Sequence, residues 1–524
     1  MSKKKVVVIG SGFGGLAAAC IFAEAGFEVV VLEKNAQLGG RMGLLEVKKD
    51  KAGHWKESRP SAEKKASRTK NTFRFDTGPS WYLMPDVFEH FYSLLGEDIS
   101  NHLDLIKLSP SYQVIFKDTL LGFTKIHSNL AKDRATFEAF EPYSSQKIQA
   151  YLDNSSYKYE VALENFLYKN YDSLSDFFTR QMISEGLKLN VLRNMHKYVS
   201  KYFESAEIQK ILQYHLVFLG SAPKKAPALY SLLSHVDFKQ GVYYPRYGMF
   251  ELTRSLVSLA KKRGVSFVVN QKVDQIKVKN GRASGVIAGN AQYDADIVIS
   301  NADIEHTDTN LLTPEHRAYS DRYWRKRTIA PSALLIYLGV KAHYPQLEHH
   351  NLVFSQDWDR NFKEIFDYNR FPADPSFYVC NPNKTDASTA PEGHENLFVL
   401  VPISAGLNYD DESLATYTDH ILSTMEKSLH LKGLKKNIVY QKTYCVNEFA
   451  ADFNSYKGTS LGLAHNLKQT AIFRPNNQHS KLPNLLFVGA NTNPGIGLPM
   501  CLISAELAYK RVIKDTSAKP LDKL

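Results

Sequence analysis

Between Lys3 and Lys34 the chain reads KKKVVVIGSGFGGLAAACIFAEAGFEVVVLEK, and no other stretch constrains the fold as tightly. The apolar run Val6, Val7, Val8, Ile9 suits a strand buried on both faces. Gly10, Gly12 and Gly15 follow in G-x-G-x-x-G spacing, with Gly14 in the same turn. Leu16 to Ala25 is alanine-rich and has helical propensity, and Gly26 closes it. A second apolar strand, Phe27 to Leu32, ends at Glu33. The pattern is a βαβ unit with the dinucleotide fingerprint in its proper place, which predicts an α/β fold built on a Rossmann-like sheet.

Each position has a physical task. Gly10 permits the tight turn, Gly12 lets backbone approach a pyrophosphate, and Gly15 lets the helix pack closely on the strands. The helix N-terminus presents free N–H groups and a positive dipole end to phosphate. Glu33 stands where a carboxylate accepts hydrogen bonds from a ribose diol, and an acid there disfavours the 2′-phosphate of NADP. Three lysines before an apolar run also suit a signal peptide. The glycines and the charged Glu24 inside that run argue against one.

Downstream of Glu33 stand Lys34-Asn35-Ala36-Gln37-Leu38-Gly39-Gly40-Arg41. This ExxxxxGGR extension resembles the flavoprotein superfamily of amine oxidases, GDP-dissociation inhibitors and carotenoid desaturases. The resemblance implies FAD as cofactor, with Lys34, Gly39, Gly40 and Arg41 near the flavin and its pyrophosphate.

A chain of 524 residues has room for two or three domains. An apolar fraction of 44 % with 29 Phe and 29 Tyr supports large cores and an apolar pocket. The net charge of +11 points to an anionic partner surface. The lysines are scattered and no nucleic-acid-binding module is recognisable, so a membrane surface is expected rather than nucleic acid. Cys20, Cys380, Cys445 and Cys501 fit no metal or redox spacing and read as buried thiols in a reducing compartment. No apolar stretch reaches transmembrane length. A cytoplasmic protein associated peripherally or monotopically with the membrane face is the expectation.

Along the chain, 48–70 is polar and basic and reads as a solvated loop or partly disordered excursion, a candidate for anionic headgroups. Phe73 to Ser80 looks like the FDxGPS segment of the carotenoid desaturases, which brings backbone near the flavin. Tyr112 to Phe116 reads as a strand. From about 136 to 235 helical patterning dominates, at Ser144 to Tyr168, Ser175 to Leu192 and Ile208 to Leu219. Aromatics and cations mix here (Phe166, Tyr168, Lys169, Tyr171, Phe177, Arg180), as in an interfacial helix or an ordinary helical lid. Asp176 and Arg180, spaced i and i+4, are weak catalytic candidates and more simply a surface ion pair.

A helix is expected from Met249 to Arg263 and strands at Val265 to Val269 and Val273 to Val278. The resemblance places Val273 against the adenine edge. Pro245-Arg246-Tyr247-Gly248 stands where the family has Pro-Arg-Gly-Gly, so Tyr247 adds bulk near the expected flavin or substrate channel. Asp296 to Asp303 looks like the family's VVSNAD strand and turn, and Ala333 to Val340 reads as an alternating strand. The HHNLVF phrase from His349 and the DPSFYV phrase from Asp374 resemble the substrate domain of bacterial-type phytoene desaturases. His349-His350 invites a metal reading, but no further ligand stands at suitable spacing, and structural histidines are expected with no metal. Leu485 to Ala490 is a buried strand, followed by a Gly/Pro loop and a helix from Met500 to Ile513. In the family that loop, with Gly489, Gly495, Gly497 and Leu498, lies against the flavin ring. Asn493 replaces a histidine common in relatives and is assigned with Tyr247 to the substrate channel.

On these phrases the chain is identified as a member of the carotenoid desaturase (bacterial and fungal phytoene desaturase) family, a resemblance covering nearly its full length. It implies a discontinuous FAD-binding domain (1–95, 236–305, 475–524), a mixed-sheet substrate domain (96–135, 306–474) and a helical lid or membrane-associated region (136–235). The implied activity is FAD-dependent desaturation of a C40 polyene, with oxygen or a quinone as external electron acceptor. The alternatives are a sibling carotenoid-modifying flavoenzyme (3,4-desaturase, diapophytoene desaturase, isomerase or oxygenase) and, more distantly, a non-redox flavin-fold protein like a GDP-dissociation inhibitor. A polyene offers no charge to recognise, so an apolar tunnel is required.

Overall fold

A computed structural model describes residues 3–63, 71–117, 122–173 and 193–524. The first apolar run forms the strand Lys5–Ile9, buried from Val6 onward. It is buried because it is central. Glu28–Leu32 and Ile297–Ser300 pair with it in parallel on its two edges. Ser266–Val268 and Leu485–Phe487 extend the sheet to five parallel strands. The helix Phe13–Glu24 crosses between the first two strands and is buried from Phe13 to Phe22. Its small residues let the helices Phe250–Lys262 and Leu498–Ile513 pack directly on it.

The two faces of the central strand go to different cores. Val6 and Val8 meet the helical layer. Val7 and Ile9 meet Ile276, Val286 and Ala288 of an antiparallel three-stranded sheet, Gln275–Lys279, Arg282–Ala288 and Ala291–Asp294. The segment expected as a strand from Val273 therefore starts two residues later, at Gln275, and belongs to this separate sheet.

A second large sheet has seven strands in the order Ile438–Tyr444, Ser332–Val340, Glu395–Ile403, Phe377–Cys380, His350–Phe354, Tyr112–Phe116, Phe123–Ile126. Among the described residues of this sheet, only His350–Phe354 and Tyr112–Phe116 pair in parallel. Ser332–Val340 is not half-exposed, as its alternation suggests, but buried at every position. Leu334, Ile336 and Leu338 lie under Tyr417, Ile421 and Met425 of the helix Asp411–Ser428. Ala333, Leu335 and Tyr337 face an aromatic cluster on the other side.

Two further expectations are corrected. Residues 48–58 are not an irregular loop: Leu44–Lys49 pairs with Trp55–Ser58, with the Trp55 ring 4.9 Å from Phe73. Tyr168 and Tyr171 are buried rather than presented to a lipid surface; the Tyr168 carbonyl accepts a hydrogen bond from the buried Lys510 Nζ. The helix Ser144–Ala162 precedes them and ends in a wider turn, Leu163–Leu167. The expected helix from Ser175 to Leu192, with Asp176 and Arg180, lies outside the described residues. Among the described residues no helix is long and apolar enough to cross a membrane.

Candidate functional site: one cavity with a polar and an apolar end

The two large sheets open onto one cavity of about 420 Å³, within the range of small-molecule sites. Its polar end is built by the glycine turn. Gly12, Phe13 and Gly14 line it, and Gly12 is the N-cap of the buried helix with no side chain covering the free N–H groups. A Cβ on Gly12 would sit 2.5 Å from Asn301 Nδ2; one on Gly14 would sit 2.8 Å from Asn301 Oδ1 and 2.9 Å from the Gly489 nitrogen. These glycines therefore leave room for Asn301, which lies between the first turn and the C-terminal loop. Sequence reasoning gave Asn301 no such role. Gly15 does not line the cavity. It packs against the Gly10 carbonyl, where a Cβ would come within 2.2 Å.

Glu33 also lines the polar end. Its Oε2 accepts the Ser11 N–H at 2.8 Å and the Ser11 hydroxyl at 2.7 Å, and its Oε1 accepts the Asn35 N–H at 2.9 Å. Lys34 lies beside it, with Nζ donating to the Ala451 carbonyl at 2.6 Å and to Asn454 Oδ1 at 3.1 Å. Burial holds this amine below its ordinary range, against the opposing pull of Asp452 and Glu33. Gly39, Gly40 and Val273 are on the wall. Arg41 donates through Nη2 to Ser455 Oγ at 3.1 Å and the Thr459 carbonyl at 3.3 Å, while its buried Nε has no partner among the described residues. A glycine cradle, an open helix N-terminus and an unpaired buried guanidinium nitrogen together fit a dinucleotide pyrophosphate.

From the C-terminal segment, Gly489, Ala490, Asn491, Ile496, Gly497 and Leu498 line the cavity. Gly495 does not. It faces His465, whose ring leaves no space for a Cβ. The Ile496 N–H donates to His465 Nε2 at 3.0 Å, so Nδ1 carries the ring hydrogen toward the Tyr230 hydroxyl at 2.9 Å. Burial keeps this imidazole neutral by pushing it well below its usual range. Asn493 and Tyr247, assigned to the substrate channel, lie outside this cavity. The Asn493 carbonyl accepts from Asn477 Nδ2 at 2.9 Å in the loop interior. Tyr247 takes a left-handed conformation (φ 76°) with its N–H donating to Asp386 Oδ2 at 2.8 Å.

The apolar end was not legible by position. Its floor is one face of the seven-stranded sheet, where the register sets Leu335, Leu400 and Tyr378 in a row across three strands, with Ala333 and Pro402 beside them. Trp81, Val217 and Phe218 add to the wall. Trp81 follows Gly78, Pro79 and Ser80, the turn that the FDxGPS resemblance placed at the flavin and which lines the same cavity. Asp76, just before it, caps the helix Phe250–Lys262 by accepting the N–H groups of Met249 and Phe250, at 2.9 and 3.0 Å. Burial raises its carboxyl to about 6.

The histidine pair also needs correction. Spacing offered no third ligand, but strand pairing sets His350 opposite Cys380. The donor atoms of His349, His350 and Cys380 lie within 4.8 Å of one another. His349 Nδ1 is hydrogen bonded to Thr385 Oγ1 at 2.7 Å and His350 Nδ1 to the Tyr378 hydroxyl at 2.6 Å. Burial pushes the Cys380 thiol up to about 12 and the His349 imidazole down to about 3. All three groups are thus uncharged. The four cysteines are free thiols, with Cys20, Cys380 and Cys445 buried and Cys501 only partly so.

Comparison with known proteins agrees with this arrangement. Residues 13–513 match the family described as flavin containing amine oxidoreductase. A carotenoid 3,4-desaturase of Haloarcula japonica is 41 % identical over 98 % of this chain and 99 % of its own length. A zeta-carotene-forming phytoene desaturase of Myxococcus xanthus is 34 % identical over 97 % and 94 %. A 4,4'-diapophytoene desaturase of Staphylococcus aureus is 30 % identical over 98 % and 99 %. Among solved structures, an oxidoreductase from Methanosarcina mazei superposes with TM-score 0.60 at 16 % identity, covering 98 % of this chain and all of the other. Putrescine oxidase superposes with TM-score 0.60 at 13 % identity over 98 % and 99 %, which shows a shared fold. With its glycine cradle, its acid at the end of the second strand and its full-length relatives, the chain belongs to the flavin containing amine oxidoreductases and, within them, to the carotenoid desaturases, FAD-dependent oxidoreductases acting on CH–CH groups.

Proposed function

We propose that the polar end of the cavity holds FAD and the apolar end holds a stretch of carotenoid polyene whose carbon–carbon bonds are desaturated. The cavity itself carries this reading. One space runs from an open helix N-terminus to an aliphatic and aromatic floor. Gly12, Gly14, Gly39, Gly40 and Arg41 would hold the pyrophosphate, Glu33 the ribose diol, Val273 the adenine edge, and Gly489, Gly497 and Leu498 the ring system. Bound FAD supplies the two-electron oxidation. The protein aligns the polyene on the floor formed by Leu335, Leu400 and Tyr378 and keeps water from it. The five-stranded parallel sheet and its helices form the cofactor body, and the seven-stranded sheet forms the substrate body.

The polyene enters from a membrane surface in this proposal, and oxygen or a quinone takes up the electrons. Leu467 and Phe473 are 42 % and 54 % exposed with Lys468 between them. Their loop is tied through the His465 N–H to the Leu219 carbonyl, next to the cavity residues Val217 and Phe218. Exposed apolar tips beside cations, on a chain of net charge +11, suit anionic lipid.

The test is conversion of phytoene in liposomes by the FAD-loaded protein with air or a quinone, read by chromatography with absorbance detection. New long-wavelength polyene bands are expected, and their positions count the double bonds added. A second reading, 3,4-desaturation, is favoured by the 41 % identity to the Haloarcula japonica protein. It is distinguished by running lycopene and phytoene in parallel. A protein that binds no flavin sinks both.

A further inference from the structure

Desaturation removes a hydride from one carbon and a proton from its neighbour. The flavin accounts for the hydride only. Of the residues that form the apolar end of the cavity, among those described, Tyr378 is the one with an ionisable side chain. It lies in the row with Leu335 and Leu400, on the strand Phe377–Cys380. Its hydroxyl is 2.6 Å from His350 Nδ1, on the neighbouring strand. His350 is completely buried, and its Nε2 has no partner among the described residues. Trp81, itself on the cavity wall, stacks on the His350 ring at 4.2 Å with 9° between planes.

Resting on the desaturase reading above, we propose that Tyr378 and His350 form the proton acceptor of the reaction. The ring hydrogen of His350 resides on Nε2, so the Tyr378 hydroxyl donates to Nδ1. The neighbouring C–H bond breaks as its carbon partner loses a hydride, the two-electron oxidation that FAD would supply when bound, and its electron pair becomes the new π bond. The released proton binds Tyr378 Oη while the tyrosine's own proton passes to His350 Nδ1. Once the product has left, the imidazolium returns its proton through the Tyr378 hydroxyl to water entering the cavity that Tyr378 lines.

The energetics permit so weak a base. A carbon stripped of a hydride is cationic, and the C–H bond beside it is far more acidic than any imidazolium. Burial, with a smaller contribution from His349, holds His350 well below its ordinary range, so it starts neutral and able to accept. The transient cation lies face to face with an indole, the geometry in which a ring quadrupole attracts positive charge. His349, 4.5 Å away ring to ring, is also neutral and adds no like charge.

The test uses FAD-loaded full-length protein, with the carotenoid that the wild type converts, and two variants, Tyr378→Phe and His350→Asn. Asparagine keeps an acceptor near the Nδ1 position but cannot take a proton. Three quantities are read: flavin content, carotenoid binding by quenching of tryptophan emission, and kcat. The proposal expects kcat to fall about 100-fold or more in both variants, the scale of general-base catalysis, with flavin content and binding unchanged. A rate within threefold of wild type in either variant overturns it. Loss of flavin from Tyr378→Phe alone leaves His350→Asn to decide; loss from both marks the pair as structural and overturns it as well. A wild type that converts no carotenoid instead overturns the desaturase reading, and the proposal with it.

Discussion

Glu33 holds Ser11 through a single carboxylate oxygen, which accepts the amide N–H at 2.8 Å and the hydroxyl at 2.7 Å. The acid that the fingerprint assigns to a ribose therefore also braces the glycine turn from below. Glu33→Gln exchanges three charge-assisted bonds, these two and the one from the Asn35 N–H, for weaker ones at a site 5 % exposed. FAD affinity is expected to fall by about 1.5–3 kcal/mol, roughly tenfold to a hundredfold. Titration of the apoprotein with FAD, followed by flavin fluorescence, measures it; a change below twofold would show that the carboxylate carries no such load.

Gly12 and Gly14 differ in what a methyl group would strike. At Gly12 the close atom is the end of the Asn301 side chain, whereas at Gly14 it is also the Gly489 backbone nitrogen. Gly12→Ala is therefore expected to regain flavin when combined with Asn301→Ser, and Gly14→Ala is not. Flavin retained after gel filtration reads both pairs. Equal rescue at the two positions would refute the distinction.

Arg474 is a buried cation with no carboxylate partner among the described residues. It donates to the carbonyls of Ala490 (2.6 Å), Thr492 (3.0 Å), Leu463 (3.1 Å) and Gln469 (3.3 Å), tying the C-terminal loop to the segment before it. Burial lowers its guanidinium to about 10, still charged at neutral pH. Arg474→Met leaves four carbonyls without this donor and is expected to cost about 3 kcal/mol or more. Denaturant unfolding measures the cost, and flavin content should fall because Ala490 lies on the cavity wall. A midpoint unchanged from wild type would count against this role.

Lys158 is fully buried, with Nζ donating to Ser231 Oγ at 2.8 Å and lying 3.8 Å from the Tyr198 ring centre. Burial lowers its amine to about 7 from 10.5. Between those values the unfolded chain binds the proton and the folded chain does not, so this group makes stability rise with pH from about 7 to 10.5. At or below pH 7 the full penalty of burying the cation applies. Lys158→Met is expected to stabilise the protein at pH 6 by about 2 kcal/mol or more, a gain that shrinks toward pH 10. Thermal melts at the two pH values check it, and a gain independent of pH would refute the assignment.

Much of the polar end of the cavity was readable because its determinants are local. The strand, glycine turn and helix from Lys5 to Glu24 lie within a few residues of where the pattern puts them. The apolar run, the glycines and the alanines act within one βαβ unit. Glu33, Lys34, Gly39, Gly40 and Arg41 reach the cavity because they follow that unit directly. The Gly489 and Gly497 loop was readable for the same reason, as a strand opening into a helix. Gly495 and Asn493, inside that loop, were not. Which residue of an irregular loop faces inward depends on its partners, here His465 and Asn477.

The sequence by itself determined the first βαβ unit, the glycine turn and the acid at the end of its second strand, because those signals repeat at helix and strand periods within some thirty residues. Only the tertiary structure decided the apolar end. Leu335, Tyr378 and Leu400 share a row, and His350 meets Tyr378 and Cys380, only through the antiparallel register of strands that are far apart along the chain. Asn301 becomes a wedge only once two distant glycine turns close on it. Register across a sheet is set by burial of whole faces and by the loops that join the strands, so no local pattern encodes it.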